Sequence, residues 1–508
     1  MKPWRVVAAG SPLALAALVS LALASGGCGG GEERTRPAGS ALWIDGDSRP
    51  LTVAMLSRLA GAGIRELFVE AATVEWQGEQ PVVRPTQPLR PPGRVRTTLV
   101  ARGNWPAVEP ADPAGAASAI AGGIEAIRRI LEESGWVVAG WHLDLDGVPS
   151  PELLAALRAQ LEPRLLLSVT LPRELLGNAA QADATEELFE HTDFVACFLY
   201  GVRSGERDGD AAWDFRQVER SVRALDALEE PYLVGVVTLA TARRWRDGAP
   251  AGELPGLSLA ELAWNQSLRL SPGFLLEGVD RQVYQFVARA PTRVAGAALA
   301  TGDAVKIVGA SSAHVQELRK MLAGLDSPRQ LGELYERLPG EEDALSLGPE
   351  NLVHAAADAR PAPQPRVGIE TLRAGARRTV VRVVLENASR EPSELAQVES
   401  NYVELRAEGG SFGDVELGGF YRYDSFAEGA GGQLQRSIRN PTVVRLFAPY
   451  LAPGAWIASG PIEVRSPRGL GDLLVRSAFL APYGGSVETP ATSWRELAPR
   501  PTPAPAGG

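Results

Sequence analysis

Hydrophobic positions between residues 41 and 325 alternate between short apolar runs and stretches with a helical period near 3.6 residues. The apolar runs predict eight strands, over residues 41–45, 64–70, 95–101, 136–146, 164–170, 193–200, 231–238 and 282–288. Helices are predicted between them; one begins after Asp112 with Pro113 in its first position, and the last covers 315–325. Eight strand–helix pairs in about 290 residues are typical of a (β/α)8 barrel. An open doubly wound sheet is the alternative, but no Gly-rich turn follows the first strand.

The pattern changes after residue 325. Residues 326–365 are predicted as a helical segment and a Pro-rich linker. Over residues 366–488 the helical period disappears, and strand-like runs separated by Gly and Pro turns predict a small immunoglobulin-like β-sandwich. Residues 489–508 are rich in Pro, Ala and Gly and are predicted to be disordered. The predicted fold class is therefore α/β, a (β/α)8 TIM-type barrel at 41–325 followed by an all-β sandwich.

Residues 1–28 have the three parts of a secretion signal. Lys2 and Arg5 give a positive start, residues 6–24 are apolar or small, and small residues follow. A membrane-spanning anchor is the alternative, since the stretch is just long enough to span a bilayer. The polar and small residues at 10–12 dilute it, however, so the pattern favours export.

Cys28 predicts a lipid anchor. Bacterial lipoproteins are cut just before a cysteine, and this segment resembles such a lipobox with Gly27 before the cut. Ser25 departs from the usual large aliphatic residue, and ordinary cleavage after residues 22–24 is the alternative. Residues 29–40 are Gly-rich and charged, as in a flexible tether. We expect an exported protein held to a membrane of the cell envelope by lipid; a soluble secreted or periplasmic protein is the alternative.

Composition narrows the set of partners. The net charge is −10 and the sequence pI is about 5.3, without any Lys/Arg-rich run, which argues against nucleic acid as the main partner. Four histidines and two cysteines show no zinc spacing. The second cysteine, Cys197, lies in an apolar run and is predicted to be buried. The sequence contains no phosphate loop and no nucleophile elbow. We expect neither a metal nor a cofactor.

Polar residues mark the ends of the predicted strands, which is where (β/α)8 barrels place their functional groups. They are Asp45, Glu70, the run from Arg102 to Trp105, His142, Asp144, Asp146 and Tyr200. Side chains alternate along a strand, so His142, Asp144 and Asp146 share one face and point into the barrel. Carboxylates placed there predict a raised pKa for one of them, as a general acid needs. The structural alternative is that they hold the barrel mouth together by hydrogen bonds.

The segment Gly140–Val148 resembles the fourth-strand motif of chitinase-type glycosidases. That motif has two aspartates at alternate positions, matched by Asp144 and Asp146, and then a catalytic glutamate two residues later. Val148 stands where the glutamate is expected, so the resemblance implies a barrel whose usual proton donor is missing from its place.

The resemblance extends to the next two strands. Tyr200 matches the end of the family's sixth-strand motif, although Gly201 replaces its aspartate. A closer likeness is to a bacterial family of secreted barrel proteins without an assigned function, with an acidic fourth strand and a Ser-x-Thr fifth strand, here Ser168 and Thr170. The likeness covers roughly residues 41–325 and implies a barrel that acts on or binds a glycan.

Three hypotheses follow. The first is a glycosidase with Asp144, Asp146 and Glu70 as candidate catalytic residues, because glycoside hydrolysis normally needs two carboxylates. Candidate substrate-binding residues are Asp45, Trp105, His142 and Tyr200. The second is a glycan-binding barrel without turnover, in keeping with Val148. The third is a structural or assembly lipoprotein whose β-sandwich contacts an envelope protein.

Overall fold

The computed structural model describes most of the chain from residue 36 onward. The described residues are 36–37, 39–46, 48, 50–86, 95–104, 110–146, 149–176, 182–199, 215–271, 283–309, 311–338, 345–395, 401–429, 432–467, 473–481 and 485–497. The predicted signal segment and Cys28 lie outside these residues, as do the end of the chain from 498 and residues 29–35 and 38 of the predicted tether. Among the helices that are described, none has the length and apolar character needed to cross a membrane.

Strands and helices are interspersed through the first part of the chain. In order they are β1 (Ser40–Ile44), α1 (Val53–Gly61), β2 (Ile64–Gln77), β3 (Gln80–Pro85), β4 (Arg96–Asn104), α2 (Pro113–Glu133), β5 (Val137–Asp146), α3 (Pro151–Gln160), β6 (Leu166–Thr170), α4 (Ala182–His191), β7 (Phe194–Phe198), α5 (Phe215–Ala227), β8 (Tyr232–Val236), β9 (Ala240–Arg246), β10 (Ala249–Glu253), α6 (Leu259–Trp264), β11 (Leu268–Leu270), β12 (Val283–Ala288), β13 (Thr292–Val294), β14 (Ala297–Leu299), β15 (Ala304–Gly309), α7 (Ser312–Leu325), β16 (Gln330–Tyr335) and α8 (Pro349–Ala356).

Eight of these strands close into a parallel barrel. Their order around it is β1, β2, β4, β5, β6, β7, β8 and β16, and β16 pairs back to β1. Each neighbouring pair is parallel, so all eight carboxyl ends meet at one mouth. The predicted TIM-type α/β barrel is confirmed, and its first seven strands coincide with the first seven predicted runs.

The eighth strand differs from the prediction. The run 282–288 does form a strand, β12, but it pairs antiparallel with β11 and β15 in a five-stranded sheet inserted between β8 and α7. The eighth barrel strand is β16, which lies in the segment predicted as helix and linker, and the barrel strands therefore run to Tyr335 rather than ending before 325. An apolar run of strand length does not specify whether its partner is parallel or antiparallel, and the polar residues and Gly332 of β16 weaken its pattern.

Helix starts follow the local sequence signals. The Asp112 carboxylate accepts a hydrogen bond from the Gly115 backbone N–H, with Pro113 in the first helical position as predicted. Ser150 caps α3 in the same way. The apolar face of α2 is buried against the barrel, in a core that joins the strands to the helix layer. These contacts hold the strand ends in fixed positions around the mouth.

The chain from β17 onward forms two antiparallel sheets that share one hydrophobic core, contributed among others by Val383 of one sheet and Leu405 of the other. The indole N–H of Trp264, at the end of α6, donates a 3.0 Å hydrogen bond to the backbone oxygen of Tyr450 and so connects α6 to this part of the chain. The strands are β17 (Pro365–Arg373), β18 (Arg378–Asn387), β19 (Tyr402–Ala407), β20 (Ser411–Val415), β21 (Arg422–Glu428), β22 (Leu434–Arg436), β23 (Val443–Phe447), β24 (Trp456–Ala458), β25 (Ile462–Arg465), β26 (Leu473–Leu480), β27 (Ser486–Glu488) and β28 (Thr492–Ser493).

Candidate functional site at the barrel mouth

Three of the predicted carboxylates converge at the barrel mouth. Asp45 follows β1, Glu70 lies in β2, and Asp144 lies near the end of β5. Arg102 of β4 joins two of them, with its Nη1 3.7 Å from Glu70 Oε2 and its Nε 3.7 Å from Asp144 Oδ2. The third, Asp45, has its Oδ2 3.0 Å from Nη1 of Arg337. The mouth therefore holds three carboxyl groups and two guanidinium groups in one electrostatic cluster.

Asp144 is held by a hydrogen-bond relay that starts below it. The Thr170 hydroxyl donates to Asp144 Oδ1 at 2.7 Å, and His142 Nε2 lies 2.9 Å from the same hydroxyl oxygen. A hydroxyl has one proton to give, so when Thr170 gives it to Asp144, Nε2 must be the protonated nitrogen of the imidazole. Ser168 Oγ lies 2.9 Å from the other nitrogen, Nδ1. The Ser-x-Thr pair of β6 thus fixes the orientation of His142 and, through Thr170, of Asp144.

His142 lies beneath the mouth, inside the barrel. Its side chain is fully buried, and its ring makes edge contacts with the rings of Trp43 and Phe68 at centroid distances of 5.7 and 5.3 Å. Phe194 and Phe198 complete this aromatic layer from β7. The prediction that His142 and Asp144 share the inward face of the fourth barrel strand is therefore confirmed, with His142 one layer below Asp144.

The environment of Glu70 favours the protonated form of its carboxyl group. Partial burial raises the pKa of its carboxyl above the ordinary value. Arg102 opposes this shift, whereas the negative charges of Asp45 and Asp144 add to it. The Glu70 side chain is still 15% exposed, so its carboxyl group is accessible from the mouth.

A groove opens beside this cluster. The strand β2 continues past the mouth and turns into β3, and the groove lies between this hairpin and the end of β4. Its volume is about 550 Å³, and Thr73, Val74, Glu75, Trp76, Arg102, Gly103 and Asn104 line it. A β-carbon on Gly103 would lie 2.1 Å from the backbone oxygen of Val74, so only glycine permits this approach of the two strands. Arg102 belongs both to the groove and to the carboxyl cluster.

Several predicted residues lie outside the part of the chain whose side chains are described. The backbone of Asp146 ends β5 in register with Asn104, but its side chain is not among those described. Trp105, Tyr200 and Val148 also fall outside the described residues.

Sequence reasoning gave no role to the two arginines of the cluster. The role of Arg102 is predictable, because an arginine at the end of one barrel strand lies close to the carboxylates at the ends of the neighbouring strands and can form ion pairs with them. Arg337 lies two residues beyond β16, and the Thr238 hydroxyl donates to its backbone oxygen at 2.5 Å. It could be found only by placing the eighth strand correctly. Within the described ranges, no three His, Cys, Asp or Glu side chains are grouped so as to hold a metal ion.

Comparison with known proteins gives likenesses in structure alone. No protein-family model matches the chain, and no curated protein matches its sequence. Among solved structures, the spore cortex-lytic enzyme SleL of Bacillus cereus aligns with a TM-score of 0.44 at 14% identity, covering 64% of this chain and 75% of SleL. A chitinase of Chromobacterium violaceum aligns with a TM-score of 0.41 at 13% identity, over 63% of this chain and 99% of the chitinase.

A chitinase of Cycas revoluta, solved as a mutant in complex with (GlcNAc)4, gives a TM-score of 0.41 at 14% identity over 63% of this chain and 99% of that one. The assignment of the barrel itself rests on the strand pairings, which close eight parallel strands. These pairings confirm the (β/α)8 barrel that the sequence predicts.

Proposed function

We propose that this protein is an exported envelope lipoprotein whose barrel acts on carbohydrate at its mouth. The observation that carries the proposal is the pairing of Glu70 with Asp144 across Arg102: one carboxyl has a raised pKa, and the other is held by the Thr170 hydroxyl. Two carboxyl groups with different environments are what acid-catalysed cleavage of a glycosidic bond requires.

In this proposal Glu70 is the general acid. It gives its proton to the glycosidic oxygen as the bond to the anomeric carbon breaks, and the positive charge that develops on the sugar is stabilised by Asp144. Asp146, at the end of the same strand, is the further carboxylate that can activate water. The groove beside Arg102 accepts the sugar chain, with Trp76 as an apolar surface for a ring. Asp45, Trp105 and Tyr200 remain proposed binding residues.

His142 is proposed as a positioning residue. It is fully buried and touches Thr170 rather than the groove, so its effect on a substrate passes through the hydroxyl that holds Asp144. The cost of burying its two ring nitrogens is offset by their contacts with Ser168 and Thr170.

Glycan binding without turnover is the second candidate function. Val148 stands where chitinases carry their acid, and Arg102 and Arg337 partly neutralise the carboxylates of the mouth.

A third role, assembly of envelope proteins through the C-terminal sheets as an immunoglobulin-like module, predicts specific partners in pull-downs from solubilised envelope. A pull-down that returns only background contradicts that role.

Release of reducing ends from a polysaccharide panel tests the catalytic proposal. The mature chain is compared with Glu70→Gln, Asp144→Asn and a control, Glu133→Gln, in which an exposed carboxyl at the end of α2 is lost. We expect Glu70→Gln to lower the rate by about 10²–10⁴-fold and the control to leave it unchanged. A wild type that binds a glycan but never cleaves it supports the second candidate. A wild type that neither binds nor cleaves any glycan contradicts both.

Cell fractionation tests the envelope part of the proposal. The wild-type chain is expected in the membrane fraction and to incorporate a labelled fatty acid, whereas Cys28→Ala is expected to incorporate none because it lacks the thiol that accepts lipid. Equal labelling of the two proteins would contradict a lipid anchor at Cys28.

A further inference from the structure

A loop of the C-terminal sheets reaches both the barrel and the inserted sheet. We call residues 388–395, which follow β18, the docking loop. Leu395 is buried in the hydrophobic core of the inserted sheet, and Trp264 of α6 packs in return against the core of the C-terminal sheets. Glu391 lies against the barrel, with its Oε1 2.6 Å from Nδ1 of His354 in α8. The docking loop therefore joins three parts of the molecule.

Hydrogen bonds fix the backbone of the docking loop to the C-terminal sheets. The Glu394 N–H donates to the backbone oxygen of Leu480 in β26 at 2.8 Å, and the Ser393 N–H donates to that of Leu451 at 3.0 Å. The side-chain amide of Asn401, just before β19, donates to the Glu394 backbone oxygen at 2.9 Å. The docking loop is therefore an extension of these sheets and moves with them.

The side chain of Glu394 crosses from these sheets to the inserted sheet. The Tyr284 hydroxyl, on β12, donates a 3.1 Å hydrogen bond to Glu394 Oε1, and the Leu395 backbone N–H donates to the same oxygen at 2.9 Å. Tyr450, which follows β23, is the second tyrosine beside this carboxyl group. Burial and the charge of Glu394 raise the pKa of Tyr284, and the same causes raise the pKa of Tyr450 to about 12. Both tyrosines are therefore neutral near pH 7.

Among the described residues, no cation faces the Glu394 carboxyl group. Its contacts are the two tyrosines and the Leu395 N–H, all of which are uncharged near neutral pH. Burial raises the pKa of this carboxyl group, and the hydrogen bonds from the Leu395 N–H and the Tyr284 hydroxyl only partly oppose the shift. Ionisation of Glu394 therefore costs free energy as long as the docking loop and the inserted sheet stay together, since separation would let water solvate the charge.

We propose that Glu394 is a proton-dependent latch that holds the inserted sheet against the C-terminal sheets. The protonated side chain is neutral and fits between Tyr284 and Tyr450, so the docking loop stays in place. The ionised side chain penalises the docked arrangement, and the loop releases the inserted sheet. This sheet follows β8, whose carboxyl end lies at the barrel mouth, so the latch couples the pH of the surroundings to a sheet that begins at the mouth.

The raised pKa determines the direction of the pH dependence. The docked state binds the Glu394 proton more tightly than the released state does. Docking is therefore strongest at and below the ordinary pKa of a glutamate and weakens as pH rises through the raised pKa. A contact between a carboxylate and a cation has the opposite dependence, because it weakens in acid. The direction of the change thus distinguishes this latch from an ion pair.

Hydrogen–deuterium exchange of the full mature chain between pH 5 and pH 8 tests the latch. The quantity measured is the protection factor, the ratio of the intrinsic to the observed exchange rate, which removes the direct effect of pH on exchange. Peptides covering the docking loop and α6 report docking, and peptides covering β7 report the barrel core.

Three variants accompany the wild type. Glu394→Gln resembles the protonated side chain and leaves the contact of Glu391 with His354 in place. Tyr284→Phe removes the hydroxyl that donates to Glu394. The control is Glu408→Gln, in which an exposed carboxyl group just after β19 is lost. Because no glycan takes part, the outcome does not depend on the function proposed for the barrel.

We expect wild-type protection of the docking loop and α6 to fall at least about fivefold from pH 5 to pH 8. Glu394→Gln should keep its protection at pH 8, and Glu408→Gln should follow the wild type. Tyr284→Phe should lose more protection than the wild type, because the ionised carboxyl group lacks its donor.

The proposal would be overturned by wild-type protection that does not change with pH, or by an equal fall in Glu394→Gln. An equal fall in β7 would indicate global unfolding and would also overturn it. If Glu394→Gln does not fold, Tyr284→Phe decides: a smaller loss than in the wild type contradicts the latch, and a larger loss supports it.

Discussion

Individual side chains at the mouth combine burial with charge, which proteins tolerate only when the charges are paired. Arg102 lies between Glu70 and Asp144, and Arg337 lies beside Asp45. Even so, the net effect on Glu70 is a raised pKa, because desolvation outweighs the arginines. A carboxyl with a raised pKa at the mouth of a barrel is a candidate functional group.

Replacing Glu70 by glutamine is therefore expected to stabilise the protein at neutral pH. The folded state binds the Glu70 proton more tightly than the unfolded state, so this residue makes wild-type stability fall as pH rises from 4.5 through the raised pKa. Glu70→Gln removes that loss, and its advantage should shrink to nothing as pH falls to 4.5 and below. Denaturant unfolding across this pH range measures it, with Glu133→Gln as control. A variant less stable than wild type at pH 7 would contradict the account.

The relay below Asp144 gives a second prediction. Thr170→Val keeps the shape of the side chain but removes the hydroxyl between His142 and Asp144, leaving buried polar atoms without that partner. We expect a loss of about 1–3 kcal/mol in the free energy of unfolding. In Thr192→Val the lost hydroxyl bond, at 3.2 Å to the Leu188 backbone oxygen, is partly exposed, and the change should stay within about 0.5 kcal/mol. Equal effects of the two substitutions would argue against the relay.

At the scale of elements, the barrel depends on close packing between adjacent strands. Phe198 of β7 and Gly235 of β8 are in register, and a β-carbon on Gly235 would lie 2.1 Å from the Phe198 ring. The ring is held on its other side by Trp43, at a centroid distance of 6.0 Å. The aromatic layer under the mouth therefore requires glycine at this position of the seventh barrel strand.

Two Gly→Ala substitutions are expected to act in opposite directions. Gly235→Ala should destabilise the protein by about 1–3 kcal/mol, because the Phe198 ring has little room to move. Gly122→Ala, in the interior of α2 where a β-carbon meets nothing within 4 Å, should stabilise it by about 0.5–1 kcal/mol. Thermal and denaturant unfolding of both variants measure the difference. A stabilising Gly235→Ala would show that the layer is loosely packed.

How far the sequence predicts the elements depends on what their side chains face. Barrel strands such as β6 and β7 are buried on both faces and read as short apolar runs, so their positions follow from the sequence. The pairing of β12 does not, because nothing local distinguishes a barrel strand from a strand of an inserted antiparallel sheet. β16 contains polar residues that contact the helix layer, such as Glu333 with Arg319, and its pattern is correspondingly weak.

The same distinction applies to the site. Alternation along β5 predicts that His142 and Asp144 face the barrel interior, and the common carboxyl edge of parallel strands predicts that Asp45, Glu70 and Asp144 approach one another. The partners of these carboxyls depend on tertiary packing. Arg337 comes from the strand that the pattern missed, nearly 300 positions along the chain from Asp45.

At the scale of the whole molecule, ion pairs along α8 link the barrel helices to the C-terminal sheets. His354 of α8 lies 2.6 Å from Glu391, which is buried in the turn after β18. Burial raises the pKa of Glu391, and His354 opposes that shift. Arg390, next to Glu391, reaches Glu350 of the same helix at 3.2 Å, so the contact is continuous along α8.

Removal of the histidine should weaken this contact in a pH-dependent way. We expect His354→Ala to lower the free energy of unfolding by about 1.5–3 kcal/mol at neutral pH, since a buried carboxylate loses its charged or hydrogen-bonding partner. The deficit should shrink in acid, where Glu391 takes up a proton and needs no partner. His191→Ala, on α4, serves as control. A deficit that stays constant from neutral to acid pH would contradict the role given to Glu391.

The catalytic and the non-catalytic candidate functions both require that a carbohydrate binds at the barrel mouth. A glycan-array measurement on the mature wild type, Arg102→Gln and the control Arg129→Gln tests it most directly. Arg102 lines both the groove and the carboxyl cluster, whereas Arg129 is exposed on α2. The account predicts at least one glycan class bound by the wild type and the control but lost in Arg102→Gln. Retention of every bound glycan by folded Arg102→Gln, or the absence of any wild-type signal, would contradict it.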